Sequence, residues 1–182
     1  SEISKPSVSE EDDNIYEITY ASELAWLAAA VNGTLPATKS TISADSFAGK
    51  TFKLTQDVDL GGNEWTPIGK ANSDSKNFEG TFDGNGHTIK NLCITKGSEG
   101  AGLFKSVAGE VTIKDLTIAN ASVTYPGKGD FYGSALLGTA YGKVTIENVT
   151  VKDSYISGFR QPLTLQGGGT LTATDTVFSG GN

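Results

Sequence analysis

The residues with the most chemical reach fall in two short segments. Asp83-Gly84-Asn85-Gly86-His87 sets the chain's one histidine beside an acid, an arrangement that could serve acid/base work or metal ligation. Asp57 and Asp59 stand two residues apart in a segment that alternates apolar and polar residues. Both carboxylates therefore share one face, as a calcium site or a glycoside-hydrolysing pair requires. Each segment has a plainer explanation, and it is the one favoured. Asp-Gly and Asn-Gly steps mark turns with positive φ, so 83–87 is read as a corner of the fold. After Asp59 the chain runs Leu60-Gly61-Gly62, which does not continue as an EF-hand loop. With one His and one Cys, a nucleophilic triad or a zinc site lacks its parts. No catalytic residue, metal ligand or cofactor is assigned. The runner-up is a carbohydrate-active enzyme, a polysaccharide lyase or glycosidase, for which only Arg160 and scattered lysines supply basic groups.

Binding chemistry of another kind sits in two loops. Residues 119–133 carry Tyr125, Lys128, Asp130, Phe131 and Tyr132, and residues 152–160 carry Asp153, Tyr155, Phe159 and Arg160. Aromatic faces with a few charges suit sugar rings, and loops on a rigid scaffold hold most binding residues. Tyr125, Lys128, Asp130, Tyr132, Tyr155, Phe159 and Arg160 are the candidate ligand-binding set. The alternative is that these aromatics pack the loops onto their scaffold. Cys93 is expected to be a free, partly accessible thiol, against the commoner fate of a buried small hydrophobe.

The scaffold follows from an internal repeat. Thr88–Ile94, Thr112–Ile118, Thr145–Val151 and Thr172–Phe178 share one pattern, with apolar residues at i, i+3 and i+5, as in Ile113, Leu116 and Ile118. That spacing fits neither strand alternation nor a helical stripe, so a bend must intervene. Asn91, Asp115, Asn148 and Asp175 stand at the bend, and Asn and Asp are the non-glycine residues that best tolerate a left-handed backbone. A second block, Leu103, Leu136 and Leu163 with Gly109, Gly142 and Gly169, keeps a fixed distance from the first, which confines length variation to one loop per repeat. Short strands separated by turns bury their inner faces only by stacking, so the fold class expected is all-β: a single right-handed parallel β-helix, or solenoid. Its hand is taken from the general chirality of parallel crossovers. The four bend residues are expected at equivalent corners.

Upstream, Thr51–Leu60 reads as a strand of an earlier coil. Ser22–Asn32 has a Ser N-cap, early Glu23, an Ala-rich interior and Gly33 after it, which predicts a capping helix with Leu24, Leu27 and Val31 as its apolar stripe. Residues 1–15, with Pro6 and the run Glu10-Glu11-Asp12-Asp13, read as a disordered acidic linker, and 16–182 as the β-helix domain with coils from about 50.

Composition narrows the partners. A net charge of -7, with 14 Lys and Arg scattered among 21 acids, repels phosphate backbones and anionic lipid, so nucleic acid is excluded as a partner. No run approaches the roughly 18 apolar residues of a membrane span. The last repeat weakens, and the chain is expected to be part of a longer one or covered at its C-terminal end.

Several segments resemble GLUG-motif proteins, bacterial surface proteins whose repeat carries a Gly-Leu-aliphatic-Gly block. They are ITYASELAWLAAAVN (18–32), DVDLGGNEWTPIG (57–69), FEGTFDGNGHTIKNL (78–92), AGLF (101–104) and SALLG (134–138). The resemblance implies a pectate-lyase-like superhelix, export and often surface attachment, and no particular ligand or catalytic set. The expected protein is a noncatalytic, secreted or cell-surface bacterial module, lipid-anchored or tethered, that takes a glycan or host surface ligand through loops 119–133 and 152–160 or serves as a structural spacer.

Overall fold

Short strands cannot bury their inner side chains alone, and this chain winds them on top of one another. The computed structural model describes residues 2–36, 44–70, 76–96, 101–124, 134–157, 164–174 and 177–178, the last two stretches as backbone with the side chain of Thr174. In chain order the elements are β1 (Ser7–Val8), β2 (Ile15–Ile18), α1 (Ala21–Asn32), β3 (Thr51–Leu54), β4 (Val58–Asp59), β5 (Thr81–Asp83), β6 (Thr88–Lys90), β7 (Cys93–Ile94), β8 (Phe104–Val107), β9 (Glu110–Ala119), β10 (Ser122–Thr124), β11 (Leu137–Lys152), β12 (Tyr155–Ser157), β13 (Thr164–Thr174) and β14 (Val177–Phe178).

The result is a parallel β-solenoid with one helix. Strands β2, β3, β5, β9, β11 and β13 pair in that order, each parallel to the next. Their register sets Tyr16, Phe52, Phe82, Ile113, Ile146 and Ala173 one above another. Phe52, Phe82, Ile113 and Ile146 are buried. A second face aligns Val58, Ile89, Ile118, Val151 and Phe178, and a third pairs β7, β10 and β12 to align Ile94, Val123 and Ile156. Between them Phe78, Phe82 and Phe104 meet with ring centroids 5.4 and 5.5 Å from Phe104. Burying each such ring contributes on the order of 1.5–3 kcal/mol.

The corners are where the sequence expectation is both met and corrected. Asp115 and Asn148 have φ of 52°, and Asn148 Nδ2 donates to Asp115 Oδ1 at 3.0 Å. Asn91 also has positive φ, but it belongs to another corner. Strand β6 pairs with the second half of β9, Ile89 facing Ile118, while Phe82 faces Ile113. The residue at the level of Asp115 is Asn85, with φ of 52°, whose neighbour Gly86 donates its N–H to the Asp115 carbonyl. Asn91 instead lines up with Asn120, and that corner continues through Asp153, φ 57° and 52°. Two polar columns therefore run along the solenoid where one was expected. Length variation is likewise not confined to one loop, because the Asp83–Thr88 turn spans five residue steps where Lys114–Thr117 spans three. Asp175 and Leu163 lie outside the described residues.

The opening segment is not an unfolded tether. Its β1 pairs antiparallel with β2, Ser7 facing Glu17, and Pro6 is buried. The acidic run forms the intervening turn, where Asp12 Oδ1 accepts the Asn14 N–H and the Asp12 carbonyl accepts that of Ile15. An uncovered first edge would offer its N–H and C=O groups to other chains, and β1 covers it. The stack begins at β2, earlier than residue 50. Helix α1 buries Leu24, Leu27 and Val31 fully, as expected of a cap beside the first strand. Its N-cap is Tyr20 and not Ser22: the Glu23 carboxylate reaches back to the Thr19 and Tyr20 N–H groups at 2.9 and 3.0 Å. Gly33 ends it with φ of 71°.

The corner assignment is testable by thermal unfolding. Asn148→Ala keeps neither the ladder bond nor a tolerated left-handed backbone, and should cost about 1–2 kcal/mol. Asn148→Gly loses only the ladder bond and should melt closer to wild type; equal losses for the two variants would show that backbone strain is not what selects asparagine there.

Candidate functional site

A groove of about 770 Å³ runs along the second corner, with Asp59, Asn91, Cys93, Asn120, Asp153 and Tyr155 on its walls. Left-handed backbone at Asn91, Asn120 and Asp153 turns the chain between the second and third faces at three successive levels. The side chains then meet. Asn120 Nδ2 donates to Asn91 Oδ1 at 2.7 Å, and Asn91 Nδ2 donates to Asp59 Oδ1 at 2.8 Å. The same carboxylate oxygen accepts the Gly61 N–H at 2.8 Å. The Asn91 amide first, then the Gly61 N–H, hold the Asp59 carboxyl below its usual range, with Lys90 nearby acting in the same direction. The amides thus form one directed chain that ends on a carboxylate.

Below the corner, Glu64, Cys93, Ser122 and Tyr155 occupy one outward column. Glu64 is engaged as a brace, accepting from Thr95 N, Thr95 Oγ1 and Lys96 N at 2.9, 2.7 and 2.9 Å. Cys93 is free and half-buried, as expected for a partly accessible thiol, and its neighbours across the strands are Glu64 and Ser122. Among the described residues Tyr155 ends the column, and it is 52% exposed. The preceding Ser154 is buried and locks the turn: its Oγ accepts the Ala121 N–H at 3.0 Å and donates to the Lys152 carbonyl at 2.9 Å.

No family model matches the chain, and no solved structure does. Halomucin of Haloquadratum walsbyi is 46% identical to it over 91 residues. The chain is similar to a piece of halomucin. The match covers 50% of this chain and 1% of halomucin, so the likeness is to a small part of a very long protein. Halomucin comes from an archaeon and lends no support to a bacterial source.

Of the seven residues expected to bind a ligand, Tyr155 stands at the groove. Tyr125, Lys128, Asp130, Tyr132, Phe159 and Arg160 lie outside the described residues, as does Phe131. Within the two expected loops, Ser122–Thr124 and Tyr155–Ser157 are the parallel strands β10 and β12, Ser122 facing Tyr155 and Val123 facing Ile156. Asn120 and its amide chain were not in the expected set. The available signal was an aliphatic two residues before each corner, Ile89 before Asn91, Ile118 before Asn120 and Val151 before Asp153.

The segments with the strongest formal chemistry act as scaffold. Asp57 Oδ1 accepts the Thr88 N–H at 2.9 Å and lies 3.4 Å from His87 Nδ1. Asp83 Oδ1 accepts the Asn85 N–H, and Asn85 Nδ2 donates to the Leu54 carbonyl one level away. A Cβ on Gly84 would come within 2.3 Å of the Asp115 carbonyl oxygen, so the turn can be this tight only with glycine. Among the described residues no three His, Cys, Asp or Glu side chains gather to hold a metal, and no helix is long and apolar enough to cross a membrane.

The lowered Asp59 pKa means that its contacts support the fold above the carboxylate's unfolded pKa, and that this support is lost as pH falls through the lower native value. Asn91→Gly keeps the backbone conformation and removes the amide donor. An NMR titration should then find the Asp59 carboxyl titrating at higher pH than in the wild type; an unchanged midpoint would contradict the role given to Asn91.

Proposed function

We propose that this chain is a noncatalytic module of a cell-surface or secreted protein, and that it holds a glycan in the groove beside Tyr155. The observation that carries this is the exposed Tyr155 ring at one end of a groove walled by side-chain amides, a serine and carboxylates. A sugar ring needs an apolar plate for its C–H face and donors and acceptors around its hydroxyls, and this arrangement supplies both. The noncatalytic reading is supported by the occupation of the acids. Asp57 and Asp59 each accept through Oδ1 and Glu64 accepts from Thr95 and Lys96, so these acids are engaged in holding the fold, and the lowered pKa of Asp59 lies further from the neutral range that suits a general acid or base. A place outside the cell is supported by the likeness to halomucin, whose name marks it as a mucin, and by the GLUG-like segments of the sequence.

A glycan array tests the proposal. The wild-type chain should retain a subset of glycans, and Tyr155→Ala should weaken their binding by roughly 3- to 10-fold, the effect of losing about 0.5–1.5 kcal/mol of ring contact. Binding indifferent to Tyr155 would remove this groove from consideration. Release of reducing sugar or of unsaturated product from a polyuronide would replace the module with an enzyme.

A further inference from the structure

A second groove, of about 540 Å³, lies on the outer side of the first face, across β5, β9 and β11. We propose that it binds a neutral linear glycan laid along the solenoid axis. This goes beyond the Tyr155 groove, with which it shares no lining residue.

The floor of the groove is a ladder of hydroxyls. Thr51, Thr81, Thr112 and Thr145 pair with one another in unbroken register, and the backbone of Thr172 continues it. The residues that follow them, Phe52, Phe82, Ile113 and Ile146, point into the core, so the threonines face out. Successive hydroxyls are then about 4.8 Å apart, the spacing of paired strands. Among the described residues, no group is hydrogen-bonded to the Thr81, Thr112 or Thr145 hydroxyls. Three half-buried donors and acceptors thus stand in a row without protein partners.

Glycines keep the trough open beside that row. Gly109 and Gly142 turn the corner with φ of 67° and 98°. A Cβ on Gly142 would sit 2.5 Å from the Gly109 carbonyl oxygen, and one on Gly109 would sit 2.7 Å from Glu79 Oε1. At Gly142 the clash is with backbone and excludes a side chain, while at Gly109 the positive φ disfavours one, so a ligand meets backbone there. Glu79, Glu110 and Lys143 form the walls. Lys143 is level with Glu110 on the neighbouring strand, yet no ion pair joins it to either carboxylate.

These groups select the ligand. Carboxylates accept charge-assisted hydrogen bonds from hydroxyls, the lysine donates, and threonines do both, which suits a polymer rich in hydroxyls. Two acids against one amine, on a chain of net charge -7, repel uronate and sulfated polymers, so the ligand is neutral. Because the ladder repeats along the axis, a chain can engage one hydroxyl per level, whereas a single sugar engages one.

The test titrates isotope-labelled full chain with neutral gluco-, manno- and galacto-oligosaccharides of increasing length, and with oligogalacturonate, while NMR follows the amide shifts. At least one neutral series should move Thr81, Thr112 and Thr145, with affinity rising with oligomer length. The double variant Thr81→Val, Thr112→Val, isosteric and suited to a strand, should bind it about tenfold more weakly, as expected for two lost hydrogen bonds, and Tyr155→Ala should bind it as wild type does. The proposal fails if no neutral series moves these amides, if oligogalacturonate binds more tightly, or if the valine variant binds normally. Should the variant not fold, the wild-type shifts alone still decide between these outcomes. Failure of the Tyr155 groove alone would leave the threonine shifts in place.

Discussion

Everything in this molecule depends on parallel stacking in register. No single coil has a core; Phe82 is buried because Phe52 lies on one side of it and Ile113 on the other. A slip of one residue at any level would turn that level inside out, sending an aliphatic to solvent and a polar residue inward. The outward residues also favour the observed register. Glu17, Lys53, Asp83, Lys114 and Glu147 form a column that alternates in sign at every level. None of them lies within ion-pair distance of its neighbour, so each contact is worth little, but opposite charges on adjacent strands are always better than like ones.

The repeat was legible in the sequence because burial forces it. Ile113, Leu116 and Ile118, and again Ile146, Val149 and Val151, are all buried around a left-handed Asp or Asn, as the i, i+3, i+5 spacing predicts. What the spacing does not carry is which corner it describes. Any corner of a solenoid that turns through one left-handed residue gives the same spacing, since the physical requirement is the same at each. Thr88–Ile94 obeys it faithfully and yet belongs to the next corner round, level with the end of β9. The longer turn at 83–88 shifts the count, and only the strand pairing reveals it. The start of the chain was missed for a different reason. The pairing of β1 with β2 rests on backbone hydrogen bonds, which composition does not register, and the acidic residues that argued for disorder sit in the turn, where charges stay solvated.

Of the candidate site, Tyr155 could be found because an aromatic residue in a polar segment stands out from its surroundings, although it opens strand β12 and does not lie in a loop. The amide chain through Asn120, Asn91 and Asp59 could not be found in the same way. Asn and Asp at a corner already have a complete explanation in backbone geometry, so their second property, side chains held close enough to bond across levels, becomes visible only when the levels are aligned. Conformational necessity and hydrogen-bonding capacity here reside in the same residues.

The same stacking explains why the chain's conspicuous acids are bonded across levels while its outward threonines are not. A catalytic centre needs unlike groups converging on one point from different directions. A solenoid instead repeats similar groups in parallel rows, and where unlike groups do meet, as at Asp59 with Asn91 or Asp57 with Thr88 and His87, they satisfy one another across adjacent levels. Asp57 and Asp59 each bond through Oδ1 to the next level, and the Asn91 amide and the Gly61 N–H hold the Asp59 carboxyl below its ordinary range. Side chains with no such duty, the row from Thr81 to Thr145 and the Tyr155 ring, keep their polar or apolar surface free. Rows of groups at one fixed spacing suit an extended ligand better than a compact one, so the proposed partner is a long one held by many weak contacts.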